Sequence, residues 1–280
     1  MTPEIAARLR DASGLVFDMD GTIALGDAAS GGHKPLPHAI ALLELLERKG
    51  IPFVVFTNGS AKSPATYAAS LRKAGFPVPD ERMLTPSASA ARWYVREGIG
   101  KVRVLGNDGT AAPLRDAGIE VVGPSEPATG VEAVFTGWHR DFVFADLEAA
   151  CESLWSGAHF TTASHVPFFA AEGGRAIGAS YAINVMLSAL TGKRPRILGK
   201  PGRAAIDTAL ATMGLPRSAV KNLVVVGDDP ALEMRLANSV GALAIGVSTG
   251  MMKEVDCLPP RDRPAALLSS LEPLLEAMSA

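Results

Sequence analysis

Two carboxylates one residue apart close an apolar run in the stretch Leu15-Val16-Phe17-Asp18-Met19-Asp20-Gly21-Thr22. An unpaired charge at the end of a buried strand is very costly, so a cation or a reaction has to justify it. On a regular strand Asp18 and Asp20 would share one face. Here Gly21-Thr22 ends the strand, and the chain can bend to aim both acids at one point. The competing reading is an Asp-Gly turn with an acid beside it. Three more apolar runs end in polar residues: Ile51–Phe56 before Thr57-Asn58-Gly59-Ser60, Ile197-Leu198-Gly199 before Lys200-Pro201, and Leu223–Val226 before Gly227-Asp228-Asp229.

Together these residues suit phosphoryl transfer. Asp18 can act as a carboxylate nucleophile, splitting hydrolysis into two easier steps through an aspartyl phosphate. Asp20 can protonate the leaving oxygen and then take a proton from the attacking water. A charged nucleophile facing a phosphate dianion needs its repulsion cancelled. A hard divalent ion such as Mg²⁺ does this on carboxylate oxygens, together with Lys200. Thr57 offers a hydroxyl and Asn58 an amide to the phosphoryl oxygens.

Short apolar runs bounded by turn residues and separated by helical patterns read as parallel strands of an α/β sheet. In open sheets of that kind ligands bind outside the carboxyl ends of the strands, where all of these residues fall. The expected layout is a Rossmann-like parallel-sheet core, residues 1–84 and 196–280, with an inserted α/β cap at residues 85–195. Within the insert, helical patterns at Ser87–Glu97, Ala111–Ala117, Asp146–Gly157 and Ser180–Thr191 alternate with strands at Val102–Leu105 and Ala133–Phe135. That is enough material for a domain of its own.

The four blocks resemble the haloacid dehalogenase (HAD) superfamily of phosphatases. Asp18-Met19-Asp20-Gly21-Thr22 matches its first motif, Phe56-Thr57-Asn58 its second, Gly199-Lys200-Pro201 its third and Gly227-Asp228-Asp229 its fourth. Their order and spacing resemble the branch with a large C2-type α/β cap, which includes 4-nitrophenylphosphatase-like, phosphoglycolate, pyridoxal phosphate, glycerol phosphate and nucleotide phosphatases. The resemblance implies Asp18 as nucleophile and Asp20 as acid/base, with Mg²⁺ held by Asp18, the Asp20 carbonyl and Asp228. It implies a small phosphorylated metabolite as substrate. Many relatives carry an aspartate where this chain has Glu233, whose extra methylene suits a reach to the metal through water; the alternative is a first-turn acid favoured by the helix dipole. Asp229 reads as the N-cap of a helix over 230–240.

In the insert, Gly106-Asn107-Asp108-Gly109 looks like a phosphate loop, although such sequences more often just turn the chain. Trp138-His139-Arg140 and the stretch 161–175, with Ser164, His165 and Arg175, are the other places to look. In the branch resembled, the loop corresponding to 161–175 helps choose the substrate. For His165 a backbone-bonded loop histidine is the alternative.

Net charge of −2 gives no basic footprint for nucleic acid, and no apolar run approaches a membrane span. Cys151 and Cys257 lack metal or redox spacing and read as reduced thiols, so a cytoplasmic location is expected. A homodimer is left open. Two rivals remain: a phosphomutase or other phosphotransferase on the same fold, and a receiver-like phosphoacceptor module without turnover. Dehalogenases of the superfamily lack the acid found here at Asp20.

Overall fold

The computed structural model describes residues 1–27, 32–171 and 174–279; the side chains of residues 27, 169–171, 174 and 175 lie outside that description. The chain divides into two compact units, one of Met1–Thr57, Ala65–Leu84 and Ile206–Ala280, the other of Asn58–Pro64 and Thr85–Ala205.

The first unit is built on a six-stranded parallel sheet. Its spatial order is Ala266–Leu268, Leu243–Val247, Leu223–Gly227, Gly14–Phe17, Phe53–Phe56, Met83–Leu84. The four central strands are buried at every residue, which explains why their sequences run apolar without alternation. The helix Ala39–Arg48 repeats apolar residues at 39, 42, 43 and 46, one face of a 3.6-residue period. That face packs Leu42, Leu43 and Leu46 against Leu15, Phe17 and Phe53 in one core. Each such fully buried leucine contributes roughly 1.5–3 kcal/mol over an exposed one. From Gly14–Phe17 the chain builds outward to one edge, then returns to build the other. The order therefore reverses between Gly14–Phe17 and Leu223–Gly227.

The second unit repeats this plan with five parallel strands, ordered Arg196–Ile197, His159–Thr162, Ala133–Thr136, Lys101–Leu105, Glu120–Val122. Its reversal lies between Lys101–Leu105 and Ala133–Thr136. The helix Pro86–Glu97 is started by the Thr85 side chain and stopped by Gly98 in the left-handed region, and the helix Ala179–Thr191 is stopped by Gly192 in the same way. An antiparallel hairpin, Phe168–Ala171 with Gly174–Ile177, completes the unit. Among the described residues no helix is long and apolar enough to cross a membrane.

One strand differs from the sequence expectation. The segment before Lys200 does not enter the first sheet: Arg196 and Ile197 pair with Thr161 and Thr162 at the edge of the second. Residues 196–205 and 58–64 accordingly group with the second unit. Two residues of strand are too few to announce which partner they will find.

Candidate active site

In the first unit the site is laid out by register. Phe17 stands opposite Val226 on one side and Val55 on the other. Asp18 is therefore level with Gly227 and Phe56, and Asp228 and Thr57 come one residue later on the flanking strands. Adjacent strands are about 4.8 Å apart. Three chemistry-bearing side chains thus gather at the carboxyl ends of three neighbouring strands, at the point where strand order reverses. Asp18, Thr57 and Asp228 are all buried there.

The turn after Asp18 separates the two acids. The strand ends at Phe17, the Met19 carbonyl accepts the N–H groups of Ile23 and Ala24, and Gly21 adopts φ +81°. Met19 is buried and Asp20 exposed. The Thr22 hydroxyl donates to Asp18 Oδ2 at 3.2 Å, which orients the carboxylate. Burial, and after it the charge of Asp20, pushes the Tyr67 phenol up to about 12, so it stays an O–H donor on the Asp20 side.

Asp228 is set by a loop that the sequence gives no chemical reason to notice. Its Oδ2 accepts the Met251 N–H at 2.7 Å, and its carbonyl accepts the Met252 N–H at 2.9 Å. The Thr249 hydroxyl donates to the Gly21 carbonyl at 2.6 Å and ties that loop to the Asp20–Gly21 turn. A Cβ at Gly21 would stand 2.6 Å from Asp228 Oδ2, and one at Gly250 would overlap the same oxygen. Both glycines are there because the carboxylate takes the space.

In the second unit Asn58 and Lys200 are paired. Asn58 Nδ2 donates to the Lys200 carbonyl and the Lys200 N–H donates to Asn58 Oδ1, each at 2.8 Å. The amide thus grips the Lys200 backbone. The phosphate-like loop is also engaged with its own chain. Asn107 Nδ2 donates to the Ala61 carbonyl at 2.7 Å, the Thr110 hydroxyl to the Ser60 carbonyl at 2.8 Å, and Gly109 has no room for a Cβ beside Ala61. His139 Nε2 meets Asp146 Oδ2 at 2.8 Å, and Asp146 also accepts the Val143 N–H at the start of the helix Phe144–Trp155. Ser164 and His165 sit in the loop after His159–Thr162. Arg175 is opposite Ala170 in the hairpin, its side chain outside the described part.

Comparison with known proteins decides the family. Residues 15–120 match the family described as haloacid dehalogenase-like hydrolase, and residues 197–274 match a second HAD-hydrolase-like family. The chain belongs to the haloacid dehalogenase-like hydrolases. It is 27% identical to an acid sugar phosphatase of Staphylococcus haemolyticus over 257 residues, 90% of this chain and 92% of that one. It is 23% identical to a 5'-nucleotidase, YutF, of Bacillus subtilis over 259 residues, 92% of this chain and 95% of that one. Among solved structures, the p-nitrophenyl phosphatase from Archaeoglobus fulgidus matches with TM-score 0.83 at 27% identity, covering 95% of this chain and 99% of that one. The chain is thus a HAD hydrolase of the branch in which these phosphatases fall.

Within this HAD unit the residues fit a hard divalent ion. Register sets Asp18 and Asp228 at the ends of adjacent strands, the Asp228 carboxylate lies against Gly21, and carboxylate oxygens are the ligands such an ion prefers. Among the described residues no three acidic, His or Cys side chains form a cluster that could hold a metal by themselves. Glu233 bonds the backbone beside Asp228. It is buried across Gly227, where a Cβ would stand 2.5 Å from its own, and its Oε2 accepts the Asp229 N–H at 3.0 Å. Asp229 accepts the Ala231 N–H at 2.7 Å as an N-cap. The segment it starts is a π turn, Pro230–Met234, before α-helix resumes at Arg235–Val240. Such turns accommodate a side chain that regular helix would misplace.

Proposed function

We propose that this HAD hydrolase is a Mg²⁺-dependent phosphatase of small phosphate monoesters that works through an aspartyl phosphate on Asp18. The observation that carries the reading is the placement of Asp18 and Asp228 at adjacent strand ends at the strand-order reversal, with Gly21 and Gly250 leaving space for the Asp228 carboxylate. Acid sugar phosphatase, 5'-nucleotidase and p-nitrophenyl phosphatase among the relatives favour a monoester over other hydrolase substrates.

In the first step an Asp18 oxygen forms a bond to phosphorus as the ester P–O bond breaks, and Asp20 gives its proton to the leaving alcohol oxygen. In the second, water attacks the same phosphorus, Asp20 takes the water proton, and inorganic phosphate leaves as the Asp18 carboxylate is restored. The Thr22 hydroxyl holds Asp18 in one orientation throughout. The exposure of Asp20 suits a group that must exchange protons with alcohol and water in turn. When bound by Asp18, the Asp20 carbonyl and Asp228, Mg²⁺ would offset the charge between nucleophile and phosphate. Thr57 and Lys200 are the proposed partners of the phosphoryl oxygens, with Asn58 fixing the backbone of Lys200. Ser164, His165 and Arg175 are the proposed readers of the alcohol part.

Phosphate release from a panel of sugar, glycerol, glycolate and nucleotide monoesters tests this. Turnover should stop on chelation and return with Mg²⁺. Multiple turnover in metal-free buffer, or a phosphoprotein that forms once and does not turn over, would overturn it. A need for a bisphosphate activator would instead indicate a phosphomutase.

A further inference from the structure

Just past the Asp20 turn the chain of the first unit enters an antiparallel hairpin, Ala24–Asp27 with Gly32–Pro35, to which the chemistry above gives no task. The hairpin is continuous with that turn. Asp20 forms a bridge with Ala24, the Gly21 N–H donates to the Ala24 carbonyl at 2.8 Å, and the Leu36 N–H donates to the Ile23 carbonyl at 2.9 Å. Whatever holds the hairpin therefore also holds the backbone of Asp20. A two-stranded ribbon is marginal by itself and needs a surface to pack on.

The helix Pro64–Lys73 supplies one. Tyr67 and Ser70 stand three residues apart, on one face of it. His33, opposite Gly26 in the hairpin, reaches both. Its Nδ1 lies 2.9 Å from Ser70 Oγ, and its ring meets the Tyr67 ring with centroids 6.3 Å apart and planes at 52°. Gly26 is about 7 Å along the strand from Ala24, so this contact falls close to the Asp20 bridge. Tyr67 completes the connection from the other side. It is buried, it meets His33, and its phenol keeps its proton because of burial and, after it, the charge of Asp20.

We propose that His33 is a positioning residue for the acid/base Asp20: by docking the hairpin on Tyr67 and Ser70 it fixes the Asp20 turn, so that the carboxyl is already in place when the leaving oxygen needs a proton. This rests on the phosphatase reading, and it assigns the hairpin to the step in which the alcohol departs.

The leaving group reads this directly. An alcohol as acidic as 4-nitrophenol departs without a proton, whereas an alkyl alcohol needs one from the acid. The quantity to follow is kcat/KM for the best alkyl phosphate of the panel divided by kcat/KM for 4-nitrophenyl phosphate, because kcat/KM includes the departure of the alcohol. His33→Ala should lower this ratio about tenfold, a part of the roughly 10²–10⁴-fold that a placed acid contributes. Ser70→Ala removes the same bond from the helix side and should lower it about threefold or more. His33→Asn can still bond Ser70 and should recover most of the ratio. General loosening of the unit would slow both substrates alike and leave the ratio where it was. Docking itself is read by hydrogen exchange: the Lys34 and Leu36 amides should exchange about tenfold faster in His33→Ala and in Ser70→Ala. Unchanged exchange overturns the docking, and faster exchange with an unchanged ratio overturns the role in positioning Asp20. If His33→Ala does not fold, Ser70→Ala decides both. A wild type that hydrolyses no monoester would sink the phosphatase reading and the role of His33 with it, while exchange would still decide whether His33 docks the hairpin.

Discussion

The two units are the same architecture put to different uses. Each is a doubly wound parallel sheet with a strand-order reversal, the place where such folds bind ligands. At the first reversal stand Asp18 and Asp228, with Gly21 and Gly250 giving up side chains to make room. At the second, the loops after Leu105 and Thr136 also carry glycines, Gly106 and Gly137. The room they give is filled by Thr110, whose Cβ would stand 2.6 Å from a Cβ at Gly106. Glycine at a strand end is therefore not by itself a sign of a ligand site. What differs is the charge and the partners of the group that takes the space. A buried carboxylate leaves a large solvation cost that a cation can meet, whereas a threonine hydroxyl is satisfied by one carbonyl.

The sharpest break between the units should come from Asp18→Asn. An amide cannot serve as the nucleophile, so kcat should fall on the order of 10⁴-fold, with circular dichroism and the unfolding midpoint nearly unchanged. Activity within tenfold of wild type would end the claim that the first reversal is the chemical one. Next in size is Gly250→Ala. It touches no reacting atom but pushes its methyl group into Asp228 Oδ2. The concentration of Mg²⁺ needed for half-maximal activity should rise about 10–100-fold, as when groups that orient metal ligands are disturbed. An unaltered Mg²⁺ titration would mean that Asp228 does not govern the metal.

These expectations also mark how far the sequence could be read. Asp18, Thr57 and Asp228 were legible because each directly follows an apolar run long enough to identify a buried strand. The loop Thr249–Met252 was not, because it acts on Asp228 through a backbone N–H and an absent side chain. Lys200 was legible as a residue and misplaced as to sheet, since the strand before it is two residues long and its partner is some 35 residues away. Gly106-Asn107-Asp108-Gly109 carries the composition of an anion loop, and only tertiary structure shows that its polar groups meet Ser60 and Ala61. The hairpin Phe168–Ala171 with Gly174–Ile177 falls largely in the stretch 161–175 that was expected to be a loop.

The second unit has a buried carboxylate of its own near its strand ends, and it sharpens the contrast. Burial pushes the Asp146 carboxyl up, but the Val143 N–H and His139 together bring it below its ordinary value. A carboxylate depressed in the folded state stabilises above its unfolded pKa of about 3.9, and that stability is lost as pH falls through the folded value. Asp146→Asn should therefore cost about 1.5–3 kcal/mol at pH 7, and the gap to wild type should narrow as the pH falls below the ordinary carboxylate range. Urea unfolding at a series of pH values measures this. A cost that persists undiminished in acid would mean that shape, and not charge, is what Asp146 supplies.

The smallest effect is the most discriminating one. Thr110→Val keeps the volume that fills the second reversal and removes only the hydroxyl that donates to the Ser60 carbonyl at 2.8 Å. The mutant leaves that carbonyl without one donor, so it should lose about 1–2 kcal/mol of stability. Hydrolysis of a small aryl phosphate should stay within about threefold, because the change takes no charge away and moves no reacting group. The two measurements must be made together. Lost stability with retained turnover assigns the second reversal to holding the chain, the role its Thr110 and Asn107 contacts describe. Retained stability with lost turnover would put a ligand there, and the polar groups of Asn107 and Thr110 would then need a partner beyond their own backbone.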